Sequence, residues 1–284
     1  MAKIALVTDS TAYIPTDLVK KHNITVIPQI LVWGEQTYQD GVDIQPDEFY
    51  TRLKTSKTMP TTSQASVVTM QATFQNLVDK SYEVLGVFIS GKLSGTLQSA
   101  NQGREALGAA AGKVTLVDSN TTAMAMGFLA LAAARAAEAG ASLAECRSLV
   151  EQGRDHTGVY FAVDTLEFLH RGGRIGGAQR FIGSALNLKP ILAVKDGRVE
   201  AEDRVRTKSK AIDRVLELVG EQVSGKSNIR IATLHANAEA EARQLLERAS
   251  QEFKPVESVL SSVSPVVGAH AGPGTVGLAF MTGV

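Results

Sequence analysis

Three stretches of the chain carry side chains that could hold or act on a ligand. The first is Val84 to Asn101, VLGVFISGKLSGTLQSAN. Its opening residues, rich in branched and aromatic side chains, read as a buried strand that the Gly91, Ser94, Gly95 cluster ends. Ser94 then stands where a helix N-cap belongs, with Gly95, Thr96, Gln98 and Ser99 after it. A capping hydroxyl and the first free N–H groups of a helix face one spot, which suits an anion; a capped connection without a ligand is the other reading. The second stretch, Ser56 to Ser66 (SKTMPTTSQAS), is a polar loop that crowds Thr61, Thr62, Ser63 and Ser66 before an amphipathic helix over 67–79. One of these hydroxyls caps that helix, and the loop has the composition of a binding segment. The third stretch is Gly268 to Gly277, GAHAGPGTVG, where four glycines and a proline set a tight backbone path around His270.

Ser94 and His270, with Asp9 or Asp118 as orienter, contain the residue types of a serine hydrolase. The setting Gly91-Lys92-Leu93-Ser94-Gly95 is not the G-x-S-x-G elbow, which counts against that chemistry. No G-x-x-x-x-G-K-[ST] phosphate loop occurs, and the Gly172-Gly173 and Gly176-Gly177 pairs do not match the spaced dinucleotide fingerprint. The five histidines show neither i, i+4 pairing nor a flanking zinc-ligand set. Neither a metal nor a cofactor is expected.

Composition bounds the partners. Lys plus Arg and Asp plus Glu are 29 each, so no overall field draws the chain to nucleic acid or an anionic membrane. No apolar run reaches membrane-spanning length, and the start MAKIALVTDS reads as a strand rather than an export signal. The one cysteine, Cys146, excludes an internal disulfide. The expectation is a cytoplasmic protein.

The elements that must position these residues fall into two groups. Strands at 3–7, 84–90 and 113–117 alternate with helices at 15–21, 46–54, 67–79, 123–139 and 143–154, the grammar of a layered, largely parallel α/β sheet. Residues 24–33 are apolar and β-branched and turn back at Gly34-Glu35, which predicts a hairpin. Beyond Gly158 come a strand (159–163), a short helix (165–169), a basic glycine-rich loop (171–177), a helix (178–186), a hairpin (190–206), and further strands and helices. That half reads as α+β around a mixed or antiparallel sheet. The expected domains are 1–154 and 155–284.

With Thr62-Ser63-Gln64, Lys92-Leu93-Ser94-Gly95-Thr96, Arg171-Gly172-Gly173-Arg174-Ile175, Asn187-Leu188-Lys189-Pro190-Ile191 and His270-Ala271-Gly272-Pro273-Gly274 in hand, the chain resembles the DegV family. These are bacterial fatty-acid-binding proteins that serve as the lipid-carrying subunit of fatty acid kinase. The resemblance implies an apolar tunnel between two domains, with Thr62 and Ser94 binding the fatty acid carboxylate and His270 close by. Ser10, Thr61, Gly95 and Thr96 are expected to support them. It also implies that the ATP-dependent chemistry, conversion to acyl phosphate for phospholipid synthesis, belongs to a separate kinase subunit that meets Arg174 and Arg206. Neither arginine is expected to touch the ligand. Two positions depart from the pattern, Ala65 for a usual proline and Gly91 for a common serine. Burying roughly fourteen methylenes at about 0.8 kcal/mol each would drive such binding, while hydroxyls and a helix N-terminus satisfy the head group without a buried Lys or Arg. The competing expectations are an acyl hydrolase using Ser94 and His270, and a lipid-sensing regulator.

Overall fold

The computed structural model describes residues 3–183 and 188–283. The first half contains β1 (Lys3–Asp9), α1 (Thr16–Lys21), β2 (Thr25–Ile27), β3 (Ile30–Trp33), β4 (Gln36–Gln39), α2 (Pro46–Leu53), β5 (Thr61–Ser63), α3 (Val67–Asp79), β6 (Tyr82–Phe88), α4 (Thr96–Glu105), β7 (Val114–Asp118), α5 (Ala123–Glu138) and α6 (Leu143–Gly153). The second half contains β8 (Thr157–Ala162), α7 (Glu167–Arg171), β9 (Lys189–Lys195), β10 (Arg198–Val205), α8 (Lys208–Val223), β11 (Arg230–His235), α9 (Glu239–Phe253), β12 (Glu257–Ser262), α10 (Pro265–Ala271) and β13 (Val276–Met281).

The first half is a parallel four-stranded sheet in the order β2-β1-β6-β7, with a small antiparallel sheet β4-β3-β5 beside it. β1 and β6 are buried along most of their length, as expected of strands covered on both faces. The second half is a mixed six-stranded sheet, β10-β9-β8-β13-β11-β12, in which only β11 and β12 run parallel. The α/β reading of the first half and the mixed sheet of the second are both present.

α5 explains how the two sheets share a core. Its sequence AMAMGFLALAAARAAE is buried on nearly every face, and the helix packs against β1 and β6 on one side and β8, β11 and β13 on the other. Small alanine side chains let both sheets approach one helix. The resulting core joins Leu6, Leu85 and Val117 to Val159, Leu234 and Ala279. A separate cluster, Val7, Phe88, Met70, Phe74 and Ala100, seats α3 and α4 on the other face of the four-stranded sheet.

Several local expectations are corrected. The hairpin turning at Gly34-Glu35 is present as β3–β4, but residues 24–33 form two strands in different sheets, because Pro28 lacks the N–H that would continue the ladder; β2 extends the parallel sheet and β3 starts the small one. The loop 56–66 contains β5, whose pairing with β3 holds Thr61 and Thr62 in register against Val32 and Leu31. Ser66 is the hydroxyl that caps α3, accepting the Thr69 N–H at 3.0 Å. The expected helix over 178–186 is a 3-10 turn at Gly176–Phe181; the rest of that range, and Asn187, falls largely outside the described residues. The segment around His270 is helical rather than an open loop. Pro265 begins α10 at the position where a missing N–H costs nothing, and Gly272, at φ +79°, ends it.

Candidate functional site

Two tight connections bring the first half's hydroxyls to the junction with the second. At the carboxyl end of β1, buried Asp9 accepts the Thr11 N–H and O–H and, at 3.0 Å, the Ile89 N–H from the end of β6. Burial raises the Asp9 pKa, and those hydrogen bonds oppose the rise. The loop from β6 to α4 is then pinned to the β9–β10 turn, where Ser90 Oγ donates to Gly197 O at 2.9 Å and Lys92 Nζ to Asp196 O at 2.7 Å. Ser94 sits at the end of this pinned loop. It is one residue ahead of the expected place: the cap is Gly95, and Ser94 Oγ accepts the Thr96 N–H at 3.3 Å.

The second half supplies α10, which packs against α2, β3 and β5 of the first half and against α7. This packing delivers His270 to Thr62, whose Oγ1 lies 2.8 Å from His270 Nε2. The other ring nitrogen is buried without a hydrogen-bond partner and faces Gly172, where any Cβ would overlap it. Burial, and then the nearby Arg174 guanidinium, pushes His270 down to about 4, so the ring is neutral near pH 7.

Thr62, Ser94 and His270 line one cavity of about 900 Å³ empty volume, its mouth included. The wall is mostly apolar and comes from both halves: Ile89 and Leu93 from the first, Val159, Phe161, Val194 and Leu234 from the second. Hydroxyls therefore gather against a largely apolar wall, an arrangement that suits an amphiphile with a polar head.

The supporting residues divide. Thr96 is fully buried behind Ser94, with Oγ1 2.8 Å from Ser94 Oγ, and Gly95 is the α4 cap. Ser10 faces away from the cavity, donating to Asp40 Oδ2 at 2.6 Å and accepting the Gln29 N–H at 3.1 Å. Thr61 is exposed on β5 and takes no part in the wall.

Arg174 departs from expectation. It is half-buried in the cavity wall, donating to Leu93 O at 3.2 Å and Gly172 O at 2.7 Å. The polar end thus includes a guanidinium, and only Arg206 is exposed. Among residues the sequence did not single out, Gln29 lies 2% exposed between the two hydroxyl-bearing segments: its Nε2 donates to Thr96 Oγ1 at 2.7 Å, and its Oε1 accepts the Ala65 N–H at 3.0 Å. Tyr13 and Thr122 also place buried, unpartnered hydroxyls in the wall. No motif marks these three, since each comes from a connection whose composition is ordinary.

A hydrolase triad is not assembled. Ser94 is bonded to Thr96, His270 to Thr62, and the proposed orienters are engaged elsewhere, Asp9 as above and Asp118 with the Gly91 and Asn120 N–H groups. Among the described residues no cluster could hold a metal ion, and no helix is long and apolar enough to cross a membrane.

The chain matches a family model described as uncharacterised protein, DegV family, over residues 3–283. Protein DegV of Bacillus subtilis is 38% identical over 277 residues, covering 97% of this chain and 98% of its own. Among solved structures, a DegV family protein from Thermus thermophilus, described in terms of fatty acid binding, superposes with a TM-score of 0.93 at 36% identity and covers 99% of this chain and all of its own. DegV from Bacillus subtilis, described as a fatty acid binding protein, superposes at 0.90 with 35% identity and full coverage of both chains. Similarity of this extent leaves no part of the fold outside the match, and the chain belongs to the DegV family.

Proposed function

We propose that this protein binds a long-chain fatty acid, with the tail in the apolar cavity and the carboxylate at Thr62, Ser94 and His270. The observation that carries this reading is the pairing of Thr62 with His270 and of Ser94 with Thr96 at the polar end of one largely apolar cavity. A carboxylate buried there must be hydrogen-bonded, and hydroxyls with a nearby guanidinium meet that need. The tail supplies the affinity through buried methylenes, and the hydroxyls supply the polarity. The relatives described as fatty acid binding support the choice of ligand.

In the fuller form of the proposal the protein is a carrier and not the catalyst. It presents the carboxylate to a separate ATP-dependent kinase subunit, which converts the acid to an acyl phosphate for phospholipid synthesis. Arg206, exposed beyond β10, is the residue proposed to meet that partner. The division near 154/155, the cytoplasmic setting and the lack of any cofactor belong to this reading. The free, buried Cys146 fits a reducing compartment.

The test is mass spectrometry of the organic extract of the purified protein. A long-chain fatty acid at close to one per chain is expected, and its replacement by fresh acid should restore the signal after delipidation. A chain that neither retains nor takes up a fatty acid overturns the proposal. Ester turnover lost in Ser94→Ala would replace it with the hydrolase.

A further inference from the structure

The hydrogen bonds behind Ser94 run in one direction. A backbone N–H only donates, so the contact from Ala65 N identifies the Gln29 oxygen and leaves the amide nitrogen facing Thr96. Thr96 Oγ1 has two side-chain neighbours at bonding distance, Gln29 Nε2 at 2.7 Å and Ser94 Oγ at 2.8 Å. An amide nitrogen cannot accept. The one proton of the buried Thr96 hydroxyl therefore goes to Ser94 Oγ, which also takes the Thr96 backbone N–H at 3.3 Å. Both lone pairs of Ser94 are filled, and Ser94 turns only its O–H toward the cavity.

The other hydroxyl also offers its proton to the cavity, though it keeps one lone pair. His270 is neutral, and its Nδ1 is buried against Gly172 with no acceptor to receive a proton. The ring proton then sits on Nε2 and is donated to Thr62 Oγ1, which leaves Thr62 its own O–H to give.

We infer that Gln29 is a specificity-determining residue: by orienting Thr96 and through it Ser94, it makes the hydroxyl end of the cavity a donor array that selects a deprotonated acid over an alcohol of the same length. A carboxylate only accepts, so every hydroxyl proton finds a partner. A long-chain alcohol brings a proton of its own: Ser94 has no lone pair left to take it, and if Thr62 takes it on its remaining lone pair the Thr62 proton loses its partner, so between these two hydroxyls one donor is left unpaired. The inference rests on the fatty acid reading and deepens it. Gln29 acts as a positioning residue, through Thr96 and Ser94.

The experiment measures binding of palmitic acid and of cetyl alcohol to delipidated protein. Wild type should prefer the acid by roughly tenfold or more. Gln29→Glu keeps the length and the acceptor for Ala65 N–H but offers Thr96 an acceptor, which reverses the relay. Its acid-to-alcohol ratio should fall roughly tenfold. Gln29→Met removes the donor without adding charge and should move the ratio the same way, so the inference stands on two variants. In a Ser94→Ala background the relay has no end, and neither change at Gln29 should alter the ratio further. An undiminished ratio in both variants, or an equal fall with and without Ser94, overturns the inference; the second outcome would assign the effect of Gln29→Glu to charge alone. Equal weakening of both probes would make Gln29 a packing residue. Wild type that binds neither probe overturns the fatty acid reading itself, whereas wild type that binds palmitic acid while the variants keep its preference overturns only the role of Gln29.

Discussion

Thr62 and His270 lie 208 positions apart in the chain, yet their side chains meet at 2.8 Å. The contact is made by β5 of the small sheet and by α10, the helix just before the final strand. It joins the two halves of the protein at the polar end of the cavity, so the site exists only when both halves are docked.

Removing either cavity hydroxyl should weaken fatty acid binding while sparing the fold. Losing one hydrogen bond to a charged group costs about 1.5–3 kcal/mol, so Thr62→Ala and Ser94→Ala should each lower affinity roughly tenfold or more. Titration calorimetry on delipidated protein is the check, and wild-type affinity in the double variant would remove both residues from the site.

Gly172→Ala should disturb the same site from behind. The added methyl overlaps the His270 ring, which must swing away from Thr62 or push α7 and α10 apart. Expected are weaker fatty acid binding and a loss of about 1–3 kcal/mol in unfolding free energy. A crystal structure of the variant with the Thr62–His270 contact unchanged would contradict this account.

Two buried groups give stability opposite dependences on acid. Burial raises Asp40 from 3.8 to about 6, against the hydrogen bonds from Ser10 and the Val266 N–H. The folded chain then holds more protons at this site than the unfolded chain, so its contribution falls as pH climbs from about 4 to 6. His270, lowered from 6.5 to about 4 by burial and then Arg174, does the reverse, because the unfolded ring binds the proton that the folded ring refuses. At about 1.4 kcal/mol per pH unit, each contribution amounts to about 3 kcal/mol, and they largely offset. Relative to wild type, Asp40→Asn should gain stability from pH 4 to 6 and His270→Gln should lose it. Urea unfolding of ligand-free protein across this range reads both slopes, and parallel curves for all three proteins would refute the assignment.

Arg174 and Arg206 should now separate. Arg174 stands in the cavity wall beside His270, so Arg174→Ala is expected to reduce both lipid affinity and kinase-dependent turnover. Arg206 is exposed, and Arg206→Ala should slow acyl phosphate formation alone, more so at low salt than at high. Loss of lipid affinity in Arg206→Ala, or full turnover in it at low salt, would remove it from the proposed partner surface.

Much of the architecture is legible in the chain because its signals are local. The helix over 67–79 is present with the same bounds, and the strand that ends at the Gly91-Ser94-Gly95 cluster is the buried β6. Periodicity and the amino acids at breaks report what each segment does with its own backbone. Ser94 and His270 are likewise marked by the composition of their stretches, while Thr62, one of four hydroxyls in its loop, is singled out only by the family resemblance; all three line one cavity. What tertiary structure alone decided is which of these groups touch and which way their protons run. α5, alanine-rich and buried between two sheets, joins the halves, and the packing of α10 on α2, β3 and β5 puts His270 on Thr62. The same docking turns Arg174 inward and leaves Arg206 outside, though both read as basic residues on loops. Gln29 had no signal at all, since a glutamine after a proline between two short strands looks like any turn residue until Thr96 and Ala65 close on either side of it. Hydrogen-bond direction depends on partners far apart in the chain, and no local pattern encodes it.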